Sequence, residues 1–161
     1  MRHDVFIAGY GGQGVLLAGN LLSYAAIHEG MNVSFFPAYG VEKRGGSAMC
    51  TIVFADGDTG SPVVGRPSAS VILNQLSFDK YAAKVKSGGV CLVNSTLVQS
   101  DGILLGGVQK IQVPMNQIAL DLGDVRIYTI TVFTAITGNG RPGCQATTAC
   151  TFQLYDTPGR Q

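Results

Sequence analysis

Asp4-Val5-Phe6-Ile7-Ala8-Gly9-Tyr10-Gly11-Gly12-Gln13-Gly14, running straight on into Val15-Leu16-Leu17-Ala18, sets the architecture of this 161-residue chain. A short apolar run ends in glycines. Beyond them Val15, Ala18, Leu22, Ala25 and Ala26 recur at helical spacing as far as Glu29, with Gly30 placed to cap the helix. Met31 to Phe36 then reads as a second strand. Strand, glycine loop, helix and strand within about thirty residues make a βαβ unit, whose right-handed crossover sets its two strands parallel.

Outward from that unit, Pro37 to Gly46 is a glycine-rich loop, and Ser47 to Ala55 is strand-like, with Thr, Ile and Val where β propensity is high. No helix separates this strand from its predecessor, so part of the sheet is expected to be antiparallel. Asp56 to Pro62 is turn chemistry, Ala69 to Asn74 another strand, and Ser77 to Val85 a short helix. Ser87-Gly88-Gly89 turns the chain into Val90-Cys91-Leu92-Val93, which ends at Asn94-Ser95. Ile111 to Val113 is a short strand, and Pro114 opens a helix from Met115 to Leu122 that Gly123 can cap. Strands alternating with helices give a three-layer, Rossmann-like α/β domain with a mostly parallel, partly mixed sheet. One such domain is expected over residues 1–126. From Tyr128 the chain is rich in Thr and Gly with no periodic apolar face, so residues 127–161 are expected to form a poorly ordered tail.

Composition narrows the function. Charged residues make up 13% of the chain, about half the share usual in soluble domains, while hydrophobic residues make up 46%. A surface so poor in charge fits either a small apolar monomer or a chain whose surface is covered by partner subunits. The net charge of +1, with no run of Lys or Arg, implies neither nucleic acid nor an anionic membrane. No apolar run is long enough to span a bilayer, and the first apolar stretch is too short for a signal-peptide core. Four scattered cysteines without C-x-x-C spacing suggest a reducing cytoplasm and argue against an iron–sulfur cluster in this chain.

Gly9, Gly11 and Gly14 satisfy G-x-G-x-x-G between a strand and a helix, where backbone N–H groups can approach an anion. The acidic residue that a nicotinamide or flavin site places at the end of the second strand is missing, because that strand ends Phe35-Phe36-Pro37. Tyr39-Gly40, Glu42 and Arg44-Gly45-Gly46 form a denser cluster. Its arginine could grip a carboxylate or phosphate, although a solvated ion pair in a surface loop serves the spacing better. His3 and His28 have no catalytic company, and the carboxylates at Asp56, Asp58, Asp79 and Asp121 suit turns and helix caps. No acid–base or nucleophilic set is visible.

Taken together, Gly9-Tyr10-Gly11-Gly12-Gln13-Gly14, Ala18-Gly19, Ala25-Ala26, Glu29-Gly30, Pro37, Tyr39-Gly40-Val41-Glu42-Lys43-Arg44-Gly45-Gly46, Cys50-Thr51, Ser61-Pro62, Asn74-Gln75, Gly88-Gly89 and Asn94-Ser95 resemble the gamma subunit, or gamma-type domain, of the 2-oxoacid:ferredoxin oxidoreductases. The likeness covers roughly residues 4 to 125, and GGQG followed by YG-x-E-x-RGG is its specific part. From Arg126 the chain departs from the family pattern, which continues after Gly123 with an Asn-containing apolar helix. The resemblance implies a subunit that is inert alone, in an enzyme converting pyruvate, 2-oxoglutarate, a branched-chain 2-oxoacid or indolepyruvate to an acyl-CoA. Alpha, beta and possibly delta subunits would carry thiamine diphosphate, Mg and the iron–sulfur clusters, with ferredoxin as electron acceptor and coenzyme A as co-substrate. Gly11, Gly12, Gln13, Gly14, Tyr39, Glu42, Arg44, Gly45 and Gly46 are then the candidate contacts to coenzyme A or to a partner. A free-standing Rossmann-like protein for a nucleotide or acyl-CoA is the other reading, and an NAD-dependent dehydrogenase is disfavoured by the end of the second strand.

Overall fold

The computed structural model describes residues 2–40, 46–103 and 105–121. Strand β1 (Arg2–Tyr10) runs further at both ends than its apolar run. The extension follows from its neighbour: β3 (Ser47–Ala55) pairs with it antiparallel from Arg2 opposite Ala55 to Tyr10 opposite Ser47, so residues of low strand propensity join the ladder. Val5 and Ile7 are buried on one face of β1 and Ala8 on the other, as in a strand covered on both sides.

Helix α1 (Val15–His28) ends in a Schellman motif at Gly30. The Met31 N–H donates to the Ala26 carbonyl at 3.0 Å and the Gly30 N–H to Ile27 at 2.9 Å. The next strand, β2 (Asn32–Tyr39), points the same way as β1, but the two do not pair. This corrects the simple βαβ expectation. Strand β3 turns back between them, antiparallel to both, and the sheet order is β2-β3-β1-β4-β5-β6. The expectation of a mixed sheet holds.

Strand β4 (Ala69–Ile72) lies parallel beside β1, followed by β5 (Val90–Asn94) and β6 (Gln109–Val113), also parallel. Helix α2 spans Gln75–Tyr81 and continues as a 3-10 turn, Ala82–Lys84, so it begins two residues before the expected Ser77. Asn74 is the reason. Its side-chain Oδ1 accepts the Ser77 N–H at 2.8 Å, which starts the helix early and takes Asn74 out of β4. Helix α3 (Met115–Asp121) follows β6.

Two apolar cores flank the sheet. One packs Val15 and Leu22 of α1 and Met115 of α3 on Val5, Ile7 and Ile52. The other packs Phe78 and Ala82 on Ala8, Ile72 and Val93. The chain therefore leaves β1 toward one face and β4 toward the other. The expected tail, 127–161, and the Gly123 cap lie outside the described residues. Among those that are described, no helix is long and apolar enough to cross a membrane.

Candidate functional site

Strands β1, β2, β4, β5 and β6 all end on one edge of the sheet, because β3 alone is reversed. Adjacent β1 and β4 send their following helices to opposite faces, the arrangement that in open α/β sheets opens a crevice outside the carboxyl ends of the strands. Ligands of open α/β sheets bind at such a switch point.

One lip of the crevice is the glycine loop. Gly12 (φ 98°) and Gly14 (φ 70°) occupy the left-handed region, where a side chain would strain the backbone. Gly14 is also the N-cap of α1, no side chain among the described residues caps that end, and no acidic residue lies in its first turn. The first-turn N–H groups and the positive end of the helix dipole are thus left to an incoming acceptor. Gly9 is needed for a different reason. A β-carbon there would lie 2.6 Å from Gln13 Oε1 and 3.0 Å from Leu73 Cβ.

Gln13 turns inward. Its Oε1 accepts the Tyr10 N–H at 2.7 Å and its Nε2 reaches the Leu73 carbonyl at 3.4 Å, so its amide holds the loop in shape. The Gly11 N–H donates to the Gly46 carbonyl at 2.8 Å, and the Gly40 N–H to the Ser47 carbonyl at 2.6 Å. The first of these bonds brings the two glycine-rich segments, 35 positions apart in the chain (Gly11 to Gly46), to one place, and the second closes the base of the Gly40–Gly46 segment. Gly11 and Gly12 are exposed and Gly46 is buried, while the Tyr39 ring is 70% exposed near the end of β2. Glu42, Arg44 and Gly45 lie outside the described residues.

The other lip and the floor are built from asparagines that sequence reasoning did not single out as site residues. Asn94, fully buried, accepts the Thr96 N–H and the Met115 N–H on Oδ1, each at 3.2 Å. Its Nδ2 donates to Asn116 Oδ1 at 2.8 Å and reaches the Leu73 carbonyl at 3.5 Å. One side chain thereby ties together the loops after β4, β5 and β6. The Nδ2 of Asn74, also buried, has no partner among the described residues. A signal was present: the apolar runs Val71-Ile72-Leu73 and Cys91-Leu92-Val93 are each followed directly by Asn.

Gly9–Gly14, Leu73–Gln75, Asn94–Thr96 and Pro114–Asn116 contain no charged residue. Backbone N–H groups, side-chain amides and the α1 dipole are suited to holding phosphate or carbonyl oxygens, not to moving protons. The two described cysteines are buried in different cores on opposite faces, so they cannot converge on one metal. Burial pushes the Cys50 thiol up to about 12 and raises Cys91 as well. Among the described residues no group of His, Cys, Asp and Glu could hold a metal ion.

The fold is a Rossmann-like α/β domain with a topological switch point between β1 and β4. The family profile of pyruvate ferredoxin/flavodoxin oxidoreductase matches residues 4–142, and the chain belongs to that family. It is 44% identical over 122 residues to ketoisovalerate oxidoreductase subunit VorA of Methanothermobacter thermautotrophicus, covering 76% of this chain and 25% of that relative. It is 36% identical over 120 residues to 2-oxoglutarate synthase subunit KorC of Methanocaldococcus jannaschii, covering 74% of this chain and 64% of that one. Among solved structures, the keto/oxoacid ferredoxin oxidoreductase gamma subunit of Geobacter sulfurreducens superposes with a TM-score of 0.69 at 31% identity, over 84% of this chain and 75% of the other. The matched region thus spans a quarter of VorA and just under two thirds of KorC.

Proposed function

We propose that this chain is the gamma-type subunit of a 2-oxoacid:ferredoxin oxidoreductase, and that its crevice helps to hold coenzyme A during oxidative decarboxylation of a 2-oxoacid. The observation that carries this reading is the Gly11–Gly46 hydrogen bond, which joins the GGQG loop to the YG-x-E-x-RGG loop at the uncapped start of α1. Gly11, Gly12 and Gly14 would offer backbone to the phosphates, Gln13 would keep that backbone in shape, and Tyr39 would lie alongside. Arg44, with Glu42 and Gly45, belongs to the segment between Gly40 and Gly46, both of which sit at this edge. Alpha, beta and, where present, delta subunits would supply thiamine diphosphate, Mg and the iron–sulfur clusters, and ferredoxin would take the electrons. Substrates of the branched-chain or 2-oxoglutarate type fit the names of the relatives.

The test is co-expression with the other subunits of the oxidoreductase, followed by coenzyme A-dependent reduction of ferredoxin or viologen with several 2-oxoacids. The isolated chain should show no 2-oxoacid oxidation, while the assembled enzyme should. Arg44→Ala should fold like wild type yet lower coenzyme A-dependent turnover by about ten- to a hundredfold, as expected for loss of a charge-assisted bond. A chain that joins no such complex but binds an acyl-CoA or nucleotide tightly by itself would replace this reading with that of a stand-alone binding protein.

A further inference from the structure

Helix α1 has fourteen residues and not one Lys, Arg, Asp or Glu. Val15, Ala18, Gly19, Leu22, Ser23 and Ala26 face the core. On the outer side Leu17, Leu21, Tyr24 and Ile27 are 54%, 37%, 70% and 55% exposed. A helix that faces water normally carries charge on that side; here the exposed apolar residues are accompanied only by Asn20 and His28. Leu17, Leu21, Tyr24 and the exposed His28 follow one another at spacings of four, three and four, which is the seam a helix presents to another packed element.

The neighbouring strand has the same character. Among the described residues β2 is an edge strand, and its sequence, Asn32-Val33-Ser34-Phe35-Phe36-Pro37-Ala38-Tyr39, contains no charged residue. Edge strands left to solvent are ordinarily protected by charges, above all lysine, and here Pro37 is the only such device. Gly19 of α1 packs close to the Phe35 ring, since a β-carbon there would lie 2.8 Å from it. By strand alternation the exposed Pro37 and Tyr39 share the face of β2 on which α1 sits.

We infer that this uncharged flank, the outer side of α1 together with the free edge of β2, is covered in the working enzyme by a different subunit that presents an uncharged, apolar surface. The inference rests on the functional reading above. The relatives are named as subunits, which favours a different chain over a second copy as the occupant. The four exposed side chains of α1 offer on the order of 400 Å², counting roughly 150–250 Å² for a large side chain. A standard interface needs about 800 Å² per partner, so contact through α1 alone falls short and the covering body must reach the β2 edge. The architecture of a relative agrees: the matched region is 25% of VorA, so there the same domain shares one polypeptide with a larger body of different sequence.

The experiment compares four chains, each co-expressed with the remaining subunits of the oxidoreductase and captured through a tag on a partner subunit. They are wild type, Leu21→Glu, Tyr24→Glu and, as a control at an exposed apolar position outside the flank, Val63→Glu (73% exposed). Wild type and Val63→Glu should co-elute with the complex on gel filtration. The two α1 variants should bind about a hundredfold more weakly, because a carboxylate would be buried without a partner. All four should melt alike as isolated chains. If Leu21→Glu disturbs folding, Tyr24→Glu carries the test, since that side chain is 70% exposed. Retention of both α1 variants at wild-type stoichiometry overturns the inference and leaves the functional reading standing. An isolated wild-type dimer that the α1 variants dissociate, with the complex intact, also overturns it in favour of a second copy. Wild type joining none of these subunits overturns the functional reading and this inference together.

Discussion

Gly9→Ala tests whether the crevice loop is held as described. A β-carbon at position 9 would lie 2.6 Å from Gln13 Oε1, 3.0 Å from Leu73 Cβ and 3.1 Å from Val15 Cγ2. The nearest atom is the one that accepts the Tyr10 N–H, so the methyl must expel the Gln13 amide and break that bond. The bond contributes about 1 kcal/mol. Crowding against Leu73 and Val15 adds roughly 1–3 kcal/mol, as overpacked sites do. Against this, alanine lowers the entropy of the unfolded chain, which offsets about 0.4–1 kcal/mol. The net expectation is a loss of about 1–3 kcal/mol in urea unfolding, read as a lower midpoint at unchanged slope. Gly57→Ala is the matched control: a β-carbon there meets nothing within 4 Å, so the variant should hold or gain up to about 1 kcal/mol. Gln13→Ala should cost less in the Gly9→Ala background than in wild type, with a coupling of about 1 kcal/mol between the two sites. If Gly9→Ala unfolds like Gly57→Ala, or shows no coupling to Gln13, the inward-turned amide is not what shapes the loop.

Other expectations are independent of that loop. His3 packs against Phe54 with its Nε2 buried and unpartnered among the described residues, and burial lowers its pKa from 6.5 despite the nearby Asp4. The unfolded state therefore binds the proton more readily, so stability present above about pH 6.5 should fall as pH drops toward the lower folded value; His3→Phe should flatten that slope in pH-dependent melting. Asn94→Ala should cost about 2–4 kcal/mol in urea unfolding, because it strips partners from the Met115 N–H, the Thr96 N–H and Asn116; a loss below about 1 kcal/mol would contradict the hub role. Cys50 and Cys91, buried with raised pKa, should resist iodoacetamide at pH 8 in the native chain and react after denaturation, as peptide mass spectrometry will show. Calorimetry with NAD or NADP should give dissociation constants weaker than about 10 μM, because β2 contains no acidic residue; tighter binding would refute that reading.

That last expectation shows where sequence and tertiary structure divide. The missing acid after Phe36 is plain in the sequence, but its context is not. β3 lies between β1 and β2 and sets the end of β2 about two strand spacings, roughly 10 Å, from the glycine loop. A helical period, an apolar run and a glycine turn are local properties, which is why α1, β3 and β5 and the glycine loop were legible before any coordinates. Strand pairing is not local. Nothing within Ser47–Ala55 states that it will pair with both β1 and β2, yet that choice lengthens β1 and sets five strand ends on one edge. The same holds for the site. The sequence marked Gly9, Gly11 and Gly14 by their spacing, but it could not say that the Gln13 amide turns inward, since that depends on where the Leu73 carbonyl lies. Nor could it reveal that Asn94 joins three loops, because its partners Leu73, Met115 and Asn116 come near only once the parallel strands are in register. What the sequence determined alone was the set of elements and the chemistry at their ends. Which ends meet was decided by hydrogen-bond ladders between residues far apart in the chain, whose register follows from burying both faces of one sheet at once.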